Sequence, residues 1–413
     1  MFYQRNIKSY LLEAAKDTPV LLLNGARQTG KSTLLEDLQH DFKDTFQLIS
    51  LDDLTVLDSI RKTPQSYLAG LTARHIIIDE VQHAPELFLP LKQVVDRNRL
   101  PGRFFLTGSA NVLTLPKLAD TLAGRMEIIT LWPLSQGELH AHKEDFIKLI
   151  FSDKPIPVFK PVQIQKLLET IVLGGYPEVV QRKNRDRTAG WFKAYITSVL
   201  QRELRELSDI EGLAILPGLL MLIASRTGGL LNTSDLSRSL SIPNATLNRY
   251  MHLLEAVYLT VRLPPWYKNI GKRIVKSPRL YLSDTGILCH LLNFDAQYLF
   301  ANRQQLGAVL ENFVFMELMK QSGWSKSQVR FYHYRTHTGQ EVDLLLECGL
   351  NVVGIEIKAA STITQDHFKG LRHLANELGE RFKRGIVLYT GDQTVSFGER
   401  LWAVPISALW QAD

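Results

Sequence analysis

Eight residues constrain this chain more than any others. Gly25-Ala26-Arg27-Gln28-Thr29-Gly30-Lys31-Ser32 follows an apolar run, Val20 to Leu23, and opens a helical segment, Ser32 to Gln39. The glycines let the backbone curl with its N–H groups inward, so that donors and a helix N-terminus face the β- and γ-phosphates of a nucleotide. The order strand, loop, helix is the context the motif requires, and a Gly-rich turn that merely carries a Lys needs neither neighbour. Gly25, Ala26, Arg27, Gln28, Thr29, Gly30, Lys31, Ser32 and Thr33 are therefore the expected ATP-binding residues, with Lys31 as the point charge and the Ser32 hydroxyl as a Mg²⁺ ligand.

His75-Ile76-Ile77-Ile78-Asp79-Glu80 reads as a buried parallel strand ending in two acids, which places them at the carboxyl edge of a sheet, where ligands bind. Asp79 is expected to hold the metal and its water shell, and Glu80 to polarise the attacking water. The next apolar run, Phe104 to Leu106, ends in Thr107-Gly108-Ser109-Ala110-Asn111. Ser109, and after it Asn111, is the group expected to orient water; turn capping is the alternative for either. Arg125 could reach a γ-phosphate in cis or from a neighbouring subunit, or be an ordinary surface arginine. β-rich runs alternate with amphipathic segments from Pro19 to Thr130, which predicts a layered α/β domain with a mostly parallel sheet.

Lys and Arg total 48 against 42 Asp and Glu, a net charge of +6, compatible with a polyanionic partner but too mild to demand one. The two cysteines, Cys289 and Cys348, do not make a disulfide scaffold or a zinc ribbon, and a reducing cytoplasm is the expected location. No signal peptide is visible in Met1 to Ala15. The longest apolar stretch, Ile215 to Ala224, is interrupted by Pro217 and Gly218 and is shorter than the ~20 residues that span a bilayer, so no membrane is expected. The prolines at 155, 157 and 161 mark a connection. Three modules follow: residues 1–150, the nucleotide domain; 151–277, helical with a helix-turn-helix; and 278–413, a second α/β domain.

In the middle module, Thr233 to Leu240, Ser241-Ile242-Pro243 and Asn244 to Tyr250 read as helix, turn, helix. Leu236, Leu240, Leu247 and Leu254 pack the pair and leave Asn244, Thr246, Asn248 and Arg249 exposed. Strand-like runs, Val257 to Leu263 and Arg273 to Tyr281, flank Trp266 to Lys272, so the shape resembles a winged helix. Arg249, Lys268, Lys272 and Arg273 would suit DNA phosphates, with docking onto protein as the alternative. Asp284, before Thr285-Gly286, reads as a helix N-cap.

In the third module, Glu341-Val342-Asp343 and Glu356-Ile357-Lys358 lie on two strands, and alternation puts Glu341 with Asp343, and Glu356 with Lys358, on common faces. Glu311 lies upstream on a helix predicted from Gly307 to Gln321. The set Glu311, Asp343, Glu356, Lys358 resembles the PD-(D/E)XK nuclease constellation, in which carboxylates hold Mg²⁺, or here Mn²⁺, and the lysine favours a hydroxide nucleophile. A sheet face carrying solvated charges is the alternative.

Together these phrases resemble a family: bacterial and archaeal ATPases that pair an AAA-type P-loop domain with a carboxy-terminal domain long labelled as of unknown function. The resemblance is carried by the P-loop, Ile78-Asp79-Glu80, Thr107-Gly108-Ser109, Leu122-Ala123-Gly124-Arg125, Pro133-Leu134-Ser135, Gly174-Gly175-Tyr176-Pro177, Ser283-Asp284-Thr285-Gly286 and Glu341-Val342-Asp343. Thr107 to Asn111 then resembles the polar sensor of AAA-type ATPases. One departure stands in the helix predicted from Trp191 to Leu207, where the family tends to show Arg-Asp and this chain has Arg202-Glu203. The implied function is an ATPase whose nucleotide state controls a DNA-directed, metal-dependent nuclease-like domain, with a homo-oligomer among the expected partners. The alternative is a nucleotide-gated regulator that binds DNA or protein through an inactive nuclease fold.

Overall fold

The computed structural model describes residues 2–109, 122–207, 213–267, 271, 273 and 276–412. The chain forms two compact units, one of Arg5–Pro133 with Leu253–Tyr258 and the other of the remaining described residues.

In the first unit β1 (Val20–Asn24), β2 (Phe46–Ser50), β3 (His75–Asp79), β4 (Phe104–Gly108) and β5 (Met126–Thr130) form a parallel sheet in the order β2-β3-β4-β1-β5. β1 and β4 are buried along their whole length, which is why Val20 to Leu23 and Phe104 to Leu106 are unbroken apolar runs. Leu22 and Ile78 both lie opposite Leu106, so the carboxyl ends of β1, β3 and β4 reach one edge together. There the helix α1 (Lys31–Leu38) begins, burying Leu34, Leu35 and Leu38. β5 was not expected from the sequence. It is an edge strand with only Ile129 buried, and Glu127 breaks its apolar run to accept a hydrogen bond from the Tyr10 hydroxyl at 2.5 Å.

The second unit begins in helices, among them α2 (Ile164–Leu173) and α3 (Arg185–Ser198). The helix expected from Trp191 to Leu207 is instead α3, a π-helical turn at Val199–Glu203 and a short helix at Leu204–Leu207. α4 (Thr233–Leu240) and α5 (Asn244–Ala256) form the expected helix pair, followed by the antiparallel strands β6 (Thr260–Leu263) and β7 (Arg279–Leu282). β7 starts at Arg279 and not at Arg273, because Pro278 has no N–H to pair and its carbonyl accepts from Leu231 N at 2.8 Å.

Next come α6 (Thr285–Leu292), α7 (Arg303–Gln321) and the strands β8 (Arg330–Arg335), β9 (Glu341–Cys348), β10 (Asn351–Lys358), β11 (Phe382–Tyr389), β12 (Val395–Gly398) and β13 (Leu401–Pro405). They build a mixed sheet in the order β12-β13-β11-β10-β9-β8. β10 pairs antiparallel with β9 and parallel with β11. Among the described residues no helix is long and apolar enough to cross a membrane.

A buried polar network lies at the start of this unit and joins three of the phrases quoted above. Leu134 N donates to Gly175 O at 2.7 Å, and Lys320 Nζ donates to Leu134 O at 3.0 Å and pairs with Glu317 at 2.6 Å. Gly175 N donates to Asp284 Oδ2 at 2.8 Å, and Gln136 N to Glu317 Oε2 at 2.8 Å. Beside them Glu144 accepts from the Ser135 hydroxyl. Burial lifts the Glu144 carboxyl to about 8, against the Ser135 hydrogen bond and helped by the charges of Glu317 and Glu138.

An acid whose pKa is higher folded than unfolded stabilises the fold while protonated. Its contribution is complete below about 4.5 and is lost as pH rises through about 8. At ~1.4 kcal/mol per pH unit the loss is on the order of 5 kcal/mol. Urea unfolding of this unit is expected to show much higher stability at pH 5 than at pH 8.5, and Glu144→Gln should flatten that slope. An equally steep slope in the variant would remove Glu144 as the cause.

Candidate nucleotide site and carboxy-terminal acid cluster

At the carboxyl edge of the parallel sheet the loop after β1 turns through Gly25 (φ 144°), Gln28 (φ 61°) and Gly30 (φ 92°). A Cβ on Gly25 would stand 2.2 Å from Leu131 O, so only glycine fits there. Lys31 is 5% exposed, and its Nζ donates to Gly25 O and Ala26 O at 3.0 Å each. Thr29 Oγ1 donates to Ala26 O at 3.0 Å, bracing the turn from inside. Arg5 holds the loop from behind, with Nη1 donating to Thr29 O and Nη2 to Trp132 O, both at 2.7 Å.

The Ser32 hydroxyl donates to both Asp79 oxygens, at 3.1 and 3.0 Å. A hydroxyl facing a carboxylate at a phosphate loop suits Mg²⁺, which keeps several waters and takes few protein ligands. Thr107 Oγ1 donates to the same carboxylate and accepts from Glu80 N at 2.9 Å. Glu80 itself is left-handed (φ 59°, ψ 48°), a strained conformation for a side-chain-bearing residue that turns it away from the line of β3. The Gln82 carboxamide donates to Glu80 Oε2 and, at 2.9 Å, to Ser109 Oγ, while Ser109 N donates to Gln82 Oε1 at 3.4 Å.

The structure thus brings Lys31, Ser32, Asp79, Glu80 and Ser109 to one edge. Asn111 lies outside the described residues. Arg125 is held by Asp96, through Nε at 2.5 Å and Nη2 at 3.0 Å, and the arginine keeps the Asp96 carboxyl below its ordinary range. Thr107, Gln82 and Arg5 were not singled out by sequence reasoning. In-register pairing of parallel strands is the signal that could have found Thr107; no local pattern marks the other two.

In the second unit, Glu311, Asp343, Glu356 and Lys358 do come together. Lys358 Nζ lies 2.5 Å from Glu356 Oε2 and 3.7 Å from Asp343 Oδ2, which also accepts from Ile357 N at 2.9 Å. Glu311, Asp343 and Glu356 are the acids expected to hold a metal. Among the described residues no group of three or more His, Cys, Asp or Glu side chains is arranged to hold a metal ion. A cation that sequence reasoning missed stands among these acids. Arg279 Nη1 lies 2.6 Å from Glu311 Oε1 and 3.6 Å from Asp343 Oδ1, and Nη2 lies 3.1 Å from Glu341 Oε2. Tyr281 Oη donates to the same Glu311 oxygen at 2.5 Å. Burial and the neighbouring Asp343 charge raise Glu311 to about 7 despite Arg279, and burial also raises Glu356.

Of the residues expected at DNA phosphates, Arg249 is exposed, as are Asn244 and Asn248 on the same helix. Arg273 is committed elsewhere. It pairs with Glu347 at 2.8 Å, and its guanidinium lies over the rings of Tyr332 and Trp266, 4.8 and 5.1 Å from their centroids. Lys268 and Lys272 lie outside the described residues. Asp284 caps α6 as expected, accepting from Gly286 N and Ile287 N.

Residues 17–140 match the model of an AAA domain, 164–298 that of a domain of unknown function (DUF8612), and 306–409 that of a second such domain (DUF4143). An uncharacterized protein of Mycobacterium tuberculosis is 30% identical over 403 residues, covering 97% of this chain and 83% of the relative. One of Haemophilus influenzae is 24% identical over 346 residues, 78% of this chain and 79% of its own. Among solved structures, the Walker-type ATPase of Pyrococcus abyssi is similar at 17% identity and a TM-score of 0.45, over 71% of this chain and 96% of that one. RuvB of Thermotoga maritima is similar at 18% identity and a TM-score of 0.32, over 64% of this chain and 91% of that one.

Proposed function

Because this chain belongs to the family that joins an AAA-type P-loop ATPase domain to the carboxy-terminal domain DUF4143, we propose that it hydrolyses ATP at the carboxyl edge of its parallel sheet. The observation that carries this reading is the meeting of Ser32 and Thr107 on the Asp79 carboxylate, with Glu80 turned out beside it. Ser32 and Asp79 would hold Mg²⁺, which when bound neutralises charge on the phosphate oxygens.

The remaining work falls to the chain itself. The loop amides and Lys31 bind the β- and γ-phosphates, and Lys31 is already held among them by Gly25 O and Ala26 O. Glu80 accepts the proton of the attacking water. Gln82 ties Glu80 to Ser109, which supports a water-orienting role for Ser109. Arg125 takes part only when its exposed pair with Asp96 opens. Such a pair is weak and screened by salt, so a phosphate, in cis or on a neighbouring subunit, can replace Asp96.

We further propose that nucleotide state controls what the rest of the chain binds, with DNA reached through the exposed face of α5 that carries Asn244, Asn248 and Arg249. Between cleavage and binding without cleavage, the Arg279 cation among the acids favours the second. The test of the ATPase reading is phosphate release with Mg²⁺, beside the Lys31→Ala protein. Losing a charged donor to phosphate should weaken binding of a fluorescent ATP analogue by about 10- to 100-fold. Parent-like affinity in a folded Lys31→Ala protein would sink the reading.

A further inference from the structure

We propose that the carboxy-terminal acid cluster is a metal-free ion-pair lock, in which the guanidinium of Arg279 stands where a divalent cation would bridge Glu311 and Asp343. The proposal rests on the non-cleaving reading of this domain and names the residue responsible for it. Divalent ions sit about 2.0–2.6 Å from carboxylate oxygens. Arg279 Nη1 is 2.6 Å from Glu311 Oε1 and 3.6 Å from Asp343 Oδ1, so nitrogen and ion compete for one place. One oxygen of each acid has a further partner. Glu311 Oε1 accepts from Tyr281 as well, Asp343 Oδ2 accepts from Ile357 N, and Glu356 Oε2 is held by Lys358.

Arg279 is carried by a backbone that is paired on both sides. It is 5% exposed and lies on β7, opposite Leu263 of β6 and bridged on its other side to Leu230. Its neighbours are fixed by Gly228 N donating to Leu280 O at 3.1 Å and Leu231 N to Pro278 O at 2.8 Å.

Charge points the same way. Four carboxylates, Glu311, Glu341, Asp343 and Glu356, face three cations, Arg279, Lys358 and Arg335, the last 3.0 Å from Glu341. A dication added to this set would leave it with surplus positive charge.

The experiment is titration of the nucleotide-free full chain with Mn²⁺, free ion being counted by electron paramagnetic resonance, beside Asp343→Asn, Arg279→Lys and Arg279→Met. The parent, Asp343→Asn and Arg279→Lys should be indistinguishable. Arg279→Met should gain one Mn²⁺ per chain, and the double variant with Asp343→Asn should lose it again. Mn²⁺ bound by the parent and lost in Asp343→Asn overturns the lock, and this comparison decides the matter even where Arg279→Met does not fold. A folded Arg279→Met that gains no ion also overturns it. DNA cleavage assayed on the same proteins separates the two levels. Mn²⁺ binding by the parent without cleavage removes the lock and leaves the non-cleaving reading, whereas cleavage abolished by Asp343→Asn removes both.

Discussion

The Glu80→Gln protein should bind ATP as tightly as the parent and hydrolyse it at least ~100-fold more slowly, since a positioned general base contributes about 10²- to 10⁴-fold. Asp79 and Glu80 are adjacent acids with different surroundings. Asp79 spends its oxygens on Ser32 and Thr107, which fits a ligand and positioning role. Glu80 has its backbone N–H tied to Thr107 and is held in a left-handed conformation that costs about 1–2 kcal/mol. The carboxylate is thereby kept off the Asp79 cluster, and Gln82 holds it beside Ser109. Glutamine preserves the shape and removes the basic oxygen, so binding and turnover separate. Single-turnover hydrolysis, with affinity measured on the same preparation, checks this. Turnover within a few-fold of the parent would move the base elsewhere, and a matching loss of affinity would show that Glu80 acts on binding and not on chemistry.

The parts of this site legible in the sequence are those made by short-range rules. Buried parallel strands are unbroken apolar runs, so β1, β3 and β4 announced themselves, and the residues just after them had to lie at one edge. The β9 and β10 acids were placed on shared faces by alternation alone. Residues that act across long sequence separations were not legible. Arg5 reaches Thr29 and Trp132, and Arg279 reaches Glu311 and Asp343, yet each looks locally like any basic residue. Arg273 failed in the opposite sense. Its place in an aromatic and basic run suggested phosphate contact, and only the fold shows Glu347 and two rings enclosing it. The edge strand β5 escaped, with only Ile129 buried and a mixed pattern along it.

Asp284→Ala should unfold the second unit while leaving nucleotide binding in place. The carboxylate is fully buried and accepts three backbone N–H groups: Gly175 N at 2.8 Å, Gly286 N at 2.9 Å and Ile287 N at 3.2 Å. It therefore caps α6 and at the same time pins the Gly174–Gly175 turn, whose Gly175 carbonyl in turn accepts from Leu134 N. That turn admits no adjustment, because a Cβ on Gly175 would stand 2.3 Å from Leu134 O and one on Gly174 2.2 Å from Asp284 Oδ1. Burial raises the Asp284 carboxyl, and the Lys320 charge with the three amides works against that rise. Alanine leaves three buried donors without an acceptor at ~1–3 kcal/mol each, on the order of 3–9 kcal/mol in all. That is a large share of the ~5–15 kcal/mol that holds a typical domain folded. The P-loop belongs to the other compact unit, so a fluorescent ATP analogue should still bind at urea concentrations where the tryptophan signal of the second unit is already lost. Asp284→Asn keeps one acceptor oxygen for α6 but sets an amide against Gly175 N, so its loss should fall between parent and alanine. If Asp284→Ala unfolds in a single step at the parent's urea midpoint, this carboxylate is not what holds the turn, and the stability of the unit must rest on the Glu317–Lys320 pair that anchors Leu134 and Gln136.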